Sequence, residues 1–318
     1  MNLPKPIGGY LQLELPRRGN FLNPKAIFLN SGRSCLGYIL RANNAAHVYV
    51  PKYTCEVVIE PLEELNIPYT FYQVNKYLEI ETDIKLKDKE FILYTNYFGV
   101  KDSYCNKLSI KYKNALILDC SQAFYFPPLK YGHTFYSPRK FFGLPDGGIL
   151  FTRKTIAGKL PTDISYKRFS HLIKRIDLGA EAAYQDFKKD DKSLSNQPIK
   201  QMSVLTKTLL QSINTKEALK IRVNNFDLLH KHLKETNQLK LANFNQGAMC
   251  YPYMVDYIGL RKKLIDKKIF VPTYWPNIFE WCDRKEFEYE LAEKIMPLPI
   301  DQRYRSEDMR RILEAIDG

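Results

Sequence analysis

Residues 118 to 148, LDCSQAFYFPPLKYGHTFYSPRKFFGLPDGG, hold the side chains best suited to chemistry. Asp119 closes the apolar run Ala115-Leu116-Ile117-Leu118, Gln122 follows three residues later, and Lys140 stands between Ser137-Pro138-Arg139 and Phe141-Phe142. A lysine protonated at neutral pH is a poor nucleophile. Crowding by aromatic rings and by Arg139 is expected to lower its pKa, and the neutral amine then forms a Schiff base with a carbonyl. Taken alone, Lys140 reads first as a surface lysine whose stem lies on Phe141 or Phe142.

Asp119 changes that balance. A carboxylate at the end of a buried strand needs a partner. A pyridinium nitrogen is a suitable one, because the carboxylate keeps it protonated and so makes the ring an electron sink. Aspartate and Schiff-base lysine together are what pyridoxal phosphate chemistry requires. Gln122 is placed to hydrogen-bond the ring hydroxyl or the substrate, and Ser137 to meet a phosphate. Ser31-Gly32-Arg33-Ser34 adds a glycine, two hydroxyls and free amides at a helix start, an anion site or an ordinary serine cap.

The elements that must position these groups follow a simple alternation. The Ser31 segment opens a helix with Leu36, Tyr38, Ile39 and Leu40 on its apolar face. Strands are predicted at 47–50, 69–74, 91–97, 115–119, 134–137 and 148–152, with a helix at 56–65. Strands separated by helix-length segments imply a largely parallel sheet covered on both faces, with ligands at the carboxyl ends of its strands. After Arg153 the chain turns polar and helical to about 235, with an exposed loop at 190–198. An extended run around 249–255, helices at 257–267 and 286–294, a strand at 295–300 and a last helix from Ser306 to Ile316, with Ser306-Glu307-Asp308 as its N-terminal cap, follow. Two domains are expected: residues 1–235, a cofactor-binding large domain with a helical extension, and residues 236–318, a small α+β domain.

Composition bounds the function. The 318 residues are 45% hydrophobic and 26% charged, as in soluble globular proteins. The start, MNLPKPIGGYLQLELPRRGN, has no leader pattern, and no apolar run approaches the roughly 18 residues that span a bilayer. The six cysteines are scattered, with no C-x-x-C pair, so neither a zinc site nor a disulfide framework is expected, and the cytoplasm is the natural location. The net charge of +13 is spread along the chain without any nucleic-acid signature, which leaves a solvated basic surface or a preference for phosphate-bearing small molecules.

The ordered set Ser31-Gly32-Arg33-Ser34, Val50-Pro51-Lys52-Tyr53-Thr54-Cys55, Asp119-Cys120-Ser121-Gln122, Ser137-Pro138-Arg139-Lys140 and Asp146-Gly147-Gly148 resembles the DegT/DnrJ/StrS-type sugar aminotransferases of PLP fold type I. The resemblance covers residues 27 to 153 and returns at Val271-Pro272-Thr273 and at 294–300. It implies a three-layer α/β/α large domain with a mainly parallel sheet and a smaller C-terminal α+β domain. Lys140 would carry the cofactor and shuttle protons, Asp119 would pair with the ring nitrogen, and Gln122 would lie near the ring hydroxyl. Ser137 and the amides of Arg33 and Ser34, in the turn opened by Gly32, would hold the phosphate.

Two places depart from the pattern. The family's ring-stacking aromatic falls at Cys55, so either Cys55 covers the ring as a small apolar group or Tyr53 supplies the face. The segment from which a partner subunit usually gives an asparagine corresponds to Ile199-Lys200-Gln201-Met202-Ser203, where Lys200 or Gln201 would serve the phosphate, or Lys200 is simply solvated. The resemblance also implies a homodimer, with residues 199–235 and the loop before them closing the partner's site, and no nucleic-acid or membrane partner. The implied reaction moves an amino group, with glutamate as the expected donor, to a keto sugar carried on a nucleotide, for surface polysaccharide or amino-sugar biosynthesis. A PLP lyase or desulfurase acting on an amino acid, and a non-catalytic binder of sugar nucleotides, are the alternatives.

Overall fold

The computed structural model describes residues 10–16, 23–241 and 247–318. Most of the N-terminal stretch read for a leader therefore lies outside the described residues. Seven strands form the main sheet: β1 (Ile27–Leu29), β2 (His47–Pro51), β3 (Tyr69–Tyr72), β4 (Glu90–Thr95), β5 (Leu116–Asp119), β6 (His133–Tyr136) and β7 (Gly148–Phe151). Their order is β1-β7-β6-β5-β4-β2-β3. The pairs β3–β2, β2–β4, β4–β5 and β5–β6 are parallel, whereas β7 runs antiparallel to both β6 and β1. The short β1, not among the strands predicted from sequence, is an edge element added through β7.

The sheet is covered on both faces, as expected. On one face Val48, Val50, Leu93, Ile117, Phe135 and Leu150 pack with residues of α1 (Gly32–Asn43) and α2 (Glu60–Glu64). On the other, Ile92, Tyr94, Leu116, Leu118 and Tyr136 pack with Cys105 and Leu108 of α3 (Asp102–Tyr112). Central strands buried on two sides read as continuous apolar runs, which is what ILYT and LILD show. Each wholly buried leucine or isoleucine here contributes about 1.5–3 kcal/mol of transfer free energy.

The helical stretch after β7 comprises α4 (Ser170–Ala182), α5 (Tyr184–Lys192), α6 (Val204–Ser212) and α7 (Thr215–Leu233). The loop expected at 190–198 begins later, because α5 continues to Lys192. On α7 the buried residues Ala218, Ile221, Arg222, Asn225, Phe226, Leu229 and Leu233 recur at helical spacing. Phe226, Leu229 and Leu233 share an apolar cluster with β8 (Cys250–Met254), α8 (Leu260–Asp266), β9 (Ile295–Pro299) and α11 (Ser306–Asp317). The antiparallel pair β8–β9 is the sheet of this region, and α9 (Ile278–Trp281) and α10 (Phe287–Lys294) precede β9. Ser306, expected to cap α11, is instead its first residue: Arg305 takes the cap position, its amide donating to Asp308 Oδ2 at 2.8 Å.

The Asp146-Gly147-Gly148 turn is set by packing. Gly147 has φ +113°, and a Cβ on Gly148 would run into the Ser31 carbonyl and, at 2.6 Å, Cys35 Sγ. Asp146 is fully buried. It accepts from Arg168 Nε at 3.0 Å and Nη2 at 2.5 Å, from Thr206 Oγ1 at 2.5 Å, and from Ser165 Oγ. The turn therefore presses β7 against the start of α1, where the candidate residues lie.

Candidate active site

Strand direction collects the predicted residues at one edge of the sheet. The parallel strands β2, β4, β5 and β6 end there, leading into Cys55, Thr95, Asp119 and Ser137 respectively, and the turn from β1 into α1 supplies Ser31 to Ser34.

At the mouth of α1, Ser31 caps the helix: its Oγ accepts from the Ser34 amide at 3.0 Å and lies 3.0 Å from Ser34 Oγ. The Ser34 amide, assigned to a phosphate from sequence, is thus already used. The amides of Gly32 and Arg33 have no acceptor within the helix. A Cβ on Gly32 would lie 3.7 Å from Phe135 Cε2, 3.7 Å from Ser121 Oγ and 3.8 Å from Ser137 Cβ, so the missing side chain leaves a small hollow between the Phe135 ring and two serines. Arg33 points its guanidinium at Glu60, Nε lying 3.0 Å from Oε2.

Asp119 is 7% exposed, and its Oδ1 accepts from the Ser121 amide at 2.7 Å. Burial drives its pKa above the ordinary aspartate value, while the Lys140 charge and the hydrogen bonds of Ser121 pull it down. A cationic partner on this carboxylate would offset that burial. Gln122 accepts from the Phe98 amide at 2.7 Å through Oε1, but its Nε2 is buried without a partner among the described residues. Thr95 stands opposite Asp119 in the β4–β5 register, and its buried Oγ1 also has none among the described residues. An orphaned amide donor and an orphaned hydroxyl beside a buried carboxylate fit a polar ring bound at this edge.

Lys140 ends a short 3-10 turn, Pro138–Lys140, after β6. The sequence allows either a surface lysine or one crowded by phenylalanines and Arg139. The structure gives the surface lysine and corrects the crowding: the turn sends Phe141 and Phe142 into the core, ties Arg139 to Asp191 at 2.5 Å, and leaves Lys140 exposed. Its charge still reaches both Asp119 and Cys55. Cys55 is half-buried. Burial pushes its thiol up, and the charges of Lys140 and Arg33 oppose that shift.

Tyr53 does not offer a face to this edge. It is wholly buried, its ring centroid 5.5 Å from that of Tyr97 and 5.1 Å from that of Trp275. Tyr274 is partly exposed, lies 6.1 Å from Phe98 between ring centroids, and falls within electrostatic range of Cys55. Residues 199–203 are held within their own chain: Asn30 N donates to Lys200 O at 3.0 Å, Met202 N to Phe28 O at 3.0 Å, and Lys200 Nζ to Asp163 Oδ1 at 3.2 Å.

Sequence reading missed Thr95 and Ser121. The rule that singled out Asp119, a polar residue ending a buried strand, applies equally to Thr95 after Phe91-Ile92-Leu93-Tyr94. Ser121 stood within the quoted Asp119–Gln122 motif without a role. Tyr274 had no local signal, since only the packing of the C-terminal region brings it near.

No protein-family model matches the chain, and no curated protein matches it in sequence. Solved structures do match. The sugar aminotransferase CalS13 from Micromonospora echinospora superposes with a TM-score of 0.63 at 17% identity, over 92% of this chain and 87% of that one. A DegT DnrJ EryC1 StrS aminotransferase from Brucella abortus gives 0.58 at 13% identity, over 93% and 90%. The PLP-form of the putative sugar aminotransferase Spr1654 from Streptococcus pneumoniae gives 0.60 at 14%, over 92% and 86%. The fold is that of PLP fold type I, shared along nearly the whole length with these sugar aminotransferases. The fold expected from the ordered motifs thus holds in three dimensions.

Proposed function

We propose that this chain is a pyridoxal-phosphate-dependent aminotransferase acting on a sugar. The observation that carries the reading is the meeting, at one sheet edge, of a buried Asp119, an orphaned Gln122 donor, the Gly32 hollow and the exposed amine of Lys140. The structural neighbours named as sugar aminotransferases support it.

When bound, pyridoxal phosphate supplies an electron sink that lets an amino group pass between two carbon atoms. In the proposed site the amides of Gly32 and Arg33 and the hydroxyls of Ser34, Ser121 and Ser137 hold the phosphate, aided by the positive end of α1. Asp119 would hold the proton on the ring nitrogen, and Gln122 Nε2 would donate to the ring hydroxyl. Cys55 would border the ring as a small apolar group. Lys140 would hold the cofactor through its amine and, when that amine is free, would carry the proton to or from the substrate carbon that gains or loses nitrogen. In this reading glutamate is the donor and a nucleotide-linked keto sugar the acceptor, in surface polysaccharide or amino-sugar biosynthesis in the cytoplasm. The +13 charge suits a diphosphate-bearing substrate.

The desulfurase alternative has less support. Cys35, Cys105, Cys120, Cys250 and Cys282 are buried, and Cys55 is half-buried beside a strand end, where no long loop carries it. No helix among the described residues is long and apolar enough to cross a membrane.

The reading includes a homodimer that closes the exposed Lys140 edge. No residue of α4 is buried, and Ile173, Ile176 and Leu178 present apolar surface, as do Ile164 and Tyr166 just before it. Exposed apolar side chains of this kind, Ile173 and Ile176 lying one turn apart, fit a second protomer.

The deciding experiment is spectral. Purified protein supplied with pyridoxal phosphate should turn yellow, lose that absorbance with glutamate, and after borohydride carry a pyridoxyl group on Lys140. An adduct on another lysine would reject the site. A cofactor-loaded protein whose spectrum ignores every amino donor would favour the non-catalytic binder.

A further inference from the structure

We infer that Arg222, together with Gln302, is a positioning residue for Lys140. This rests on the reading of Lys140 as the cofactor-bearing lysine. Arg222 lies in the middle of α7 and is 2% exposed, yet among the described residues it has no carboxylate partner. Asp301, whose charge reaches it, is bound instead by Arg303 at 2.7 and 2.8 Å. A buried guanidinium without a counter-ion is costly, so its donors must be well satisfied.

They go to three main-chain carbonyls and to the Gln302 side chain. Nη2 donates to Phe141 O at 3.2 Å, Nη1 to Ala248 O at 3.2 Å and Met249 O at 3.0 Å, and Nε to Gln302 Oε1 at 3.1 Å. Gln302 Nε2 in turn donates to the same Phe141 carbonyl at 2.8 Å. The guanidinium carbon also sits 4.6 Å from the centre of the Phe141 ring. Phe141 is the peptide neighbour of Lys140, so its carbonyl and its ring are both held by one planar fork.

The contacts continue to the far side of the site. Met249 N donates to Phe98 O at 2.8 Å, and Phe98 N donates to Gln122 Oε1 at 2.7 Å. A run of hydrogen bonds thus leads from Gln122 through Phe98, Met249 and Arg222 to Phe141. It fixes the Lys140 backbone relative to the edge that carries Asp119 and Gln122. A lysine cannot replace the fork, because one ammonium lacks the planar set of donors.

The test uses the full chain, freed of cofactor and then titrated with pyridoxal phosphate. It reads the rate of borohydride-trappable incorporation at Lys140, the pH at which the bound absorbance titrates, and kcat against KM. Arg222→Lys and Gln302→Ala should slow incorporation, move that pH, and lower kcat about ten- to hundredfold, as small misplacements of reacting groups do. KM should change by no more than about twofold. Asn237→Ala is the control for lost stability: it removes bonds to Pro252 O at 2.9 Å and from Met254 N at 3.0 Å, away from the Lys140 turn. If Arg222→Lys does not fold, Gln302→Ala on its half-exposed turn decides alone. Variants that match the control in all three readouts would overturn the positioning role while the wild-type adduct on Lys140 stands. A wild-type chain with no adduct there would overturn both readings.

Discussion

The Lys52 ammonium is held by both carboxylate oxygens of Glu286, at 2.6 and 2.8 Å, across 234 positions of sequence. Beside it Val74 N donates to Glu288 Oε1 at 2.8 Å, and Asn277 Nδ2 donates to Thr54 O at 3.0 Å. These bonds fasten the ends of β2 and β3 to the C-terminal region just before Cys55. The hydrogen bond from Lys52 holds the Glu286 carboxyl below its ordinary value, so the stabilisation is present at neutral pH and lost as pH falls through that lowered value. A double-mutant cycle of Lys52→Met with Glu286→Gln should give a coupling of about 1–2 kcal/mol at pH 7. Additive effects of the two substitutions would show that the pair contributes nothing.

His133 should make the fold acid-sensitive. It is buried, with Nε2 3.1 Å from Asn114 O and Nδ1 2.8 Å from Thr152 Oγ1, and burial lowers its pKa from 6.5 to about 4. The unfolded chain therefore binds the proton more readily, and the stability is complete above pH 6.5 and falls as pH drops toward 4. The loss amounts to about 3 kcal/mol. Urea unfolding at pH 7, 6 and 5 should show it, and His133→Gln should flatten that part of the profile. An unchanged slope in the variant would assign the acid sensitivity elsewhere.

Asp119 should oppose stability and serve turnover. Its raised pKa means that ionisation is disfavoured in the fold, so the penalty is full above the raised value and gone below the ordinary aspartate range. Cofactor-free Asp119→Asn should melt above the wild type at pH 7 and match it in acid. The same variant should lose at least about a hundredfold in turnover, since a buried pair broken on one side typically costs about 3–5 kcal/mol. Near-normal turnover would end the proposed role.

Ile176, on α4, is 82% exposed. If a second protomer covers this helix, Ile176→Asp should shift the mass seen by light scattering from two chains to one, weakening association at least about tenfold. Melting of the separated chain should change little, because the side chain touches no core. A wild-type protein that is monomeric at micromolar concentration and fully active would remove the dimer from the reading.

Some of this was legible in the residues and some was not. Strand and helix order could be read because Leu116-Ile117-Leu118 and Phe91-Ile92-Leu93-Tyr94 are buried on both sides, which writes continuous apolar runs into the chain. That Asp119 and Ser137 fall at one edge of the sheet was legible because parallel strands place their carboxyl ends together. The surroundings of Lys140 were not. Neighbouring Phe141 and Phe142 suggested crowding, but a 3-10 turn sends adjacent side chains in different directions, and no local pattern reports which. Arg222 was equally silent, since its meaning depends on carbonyls at 141, 248 and 249 brought together only by packing. Ser306 misled because a serine before Glu307-Asp308 looks like a cap, while the Asp308 carboxylate reaches the Arg305 amide instead.

The backbone of residues 200–202 does more than tether a loop. By bonding to Phe28 and Asn30, and by the antiparallel bridge between Leu29 and Gln201, it occupies hydrogen-bonding positions along the outer side of β1. An open strand there would invite another chain to add itself edge to edge. With that border closed, growth of the sheet into a continuous intermolecular array is blocked on this side. Chains that meet here must do so through side chains and helix faces rather than through an added strand.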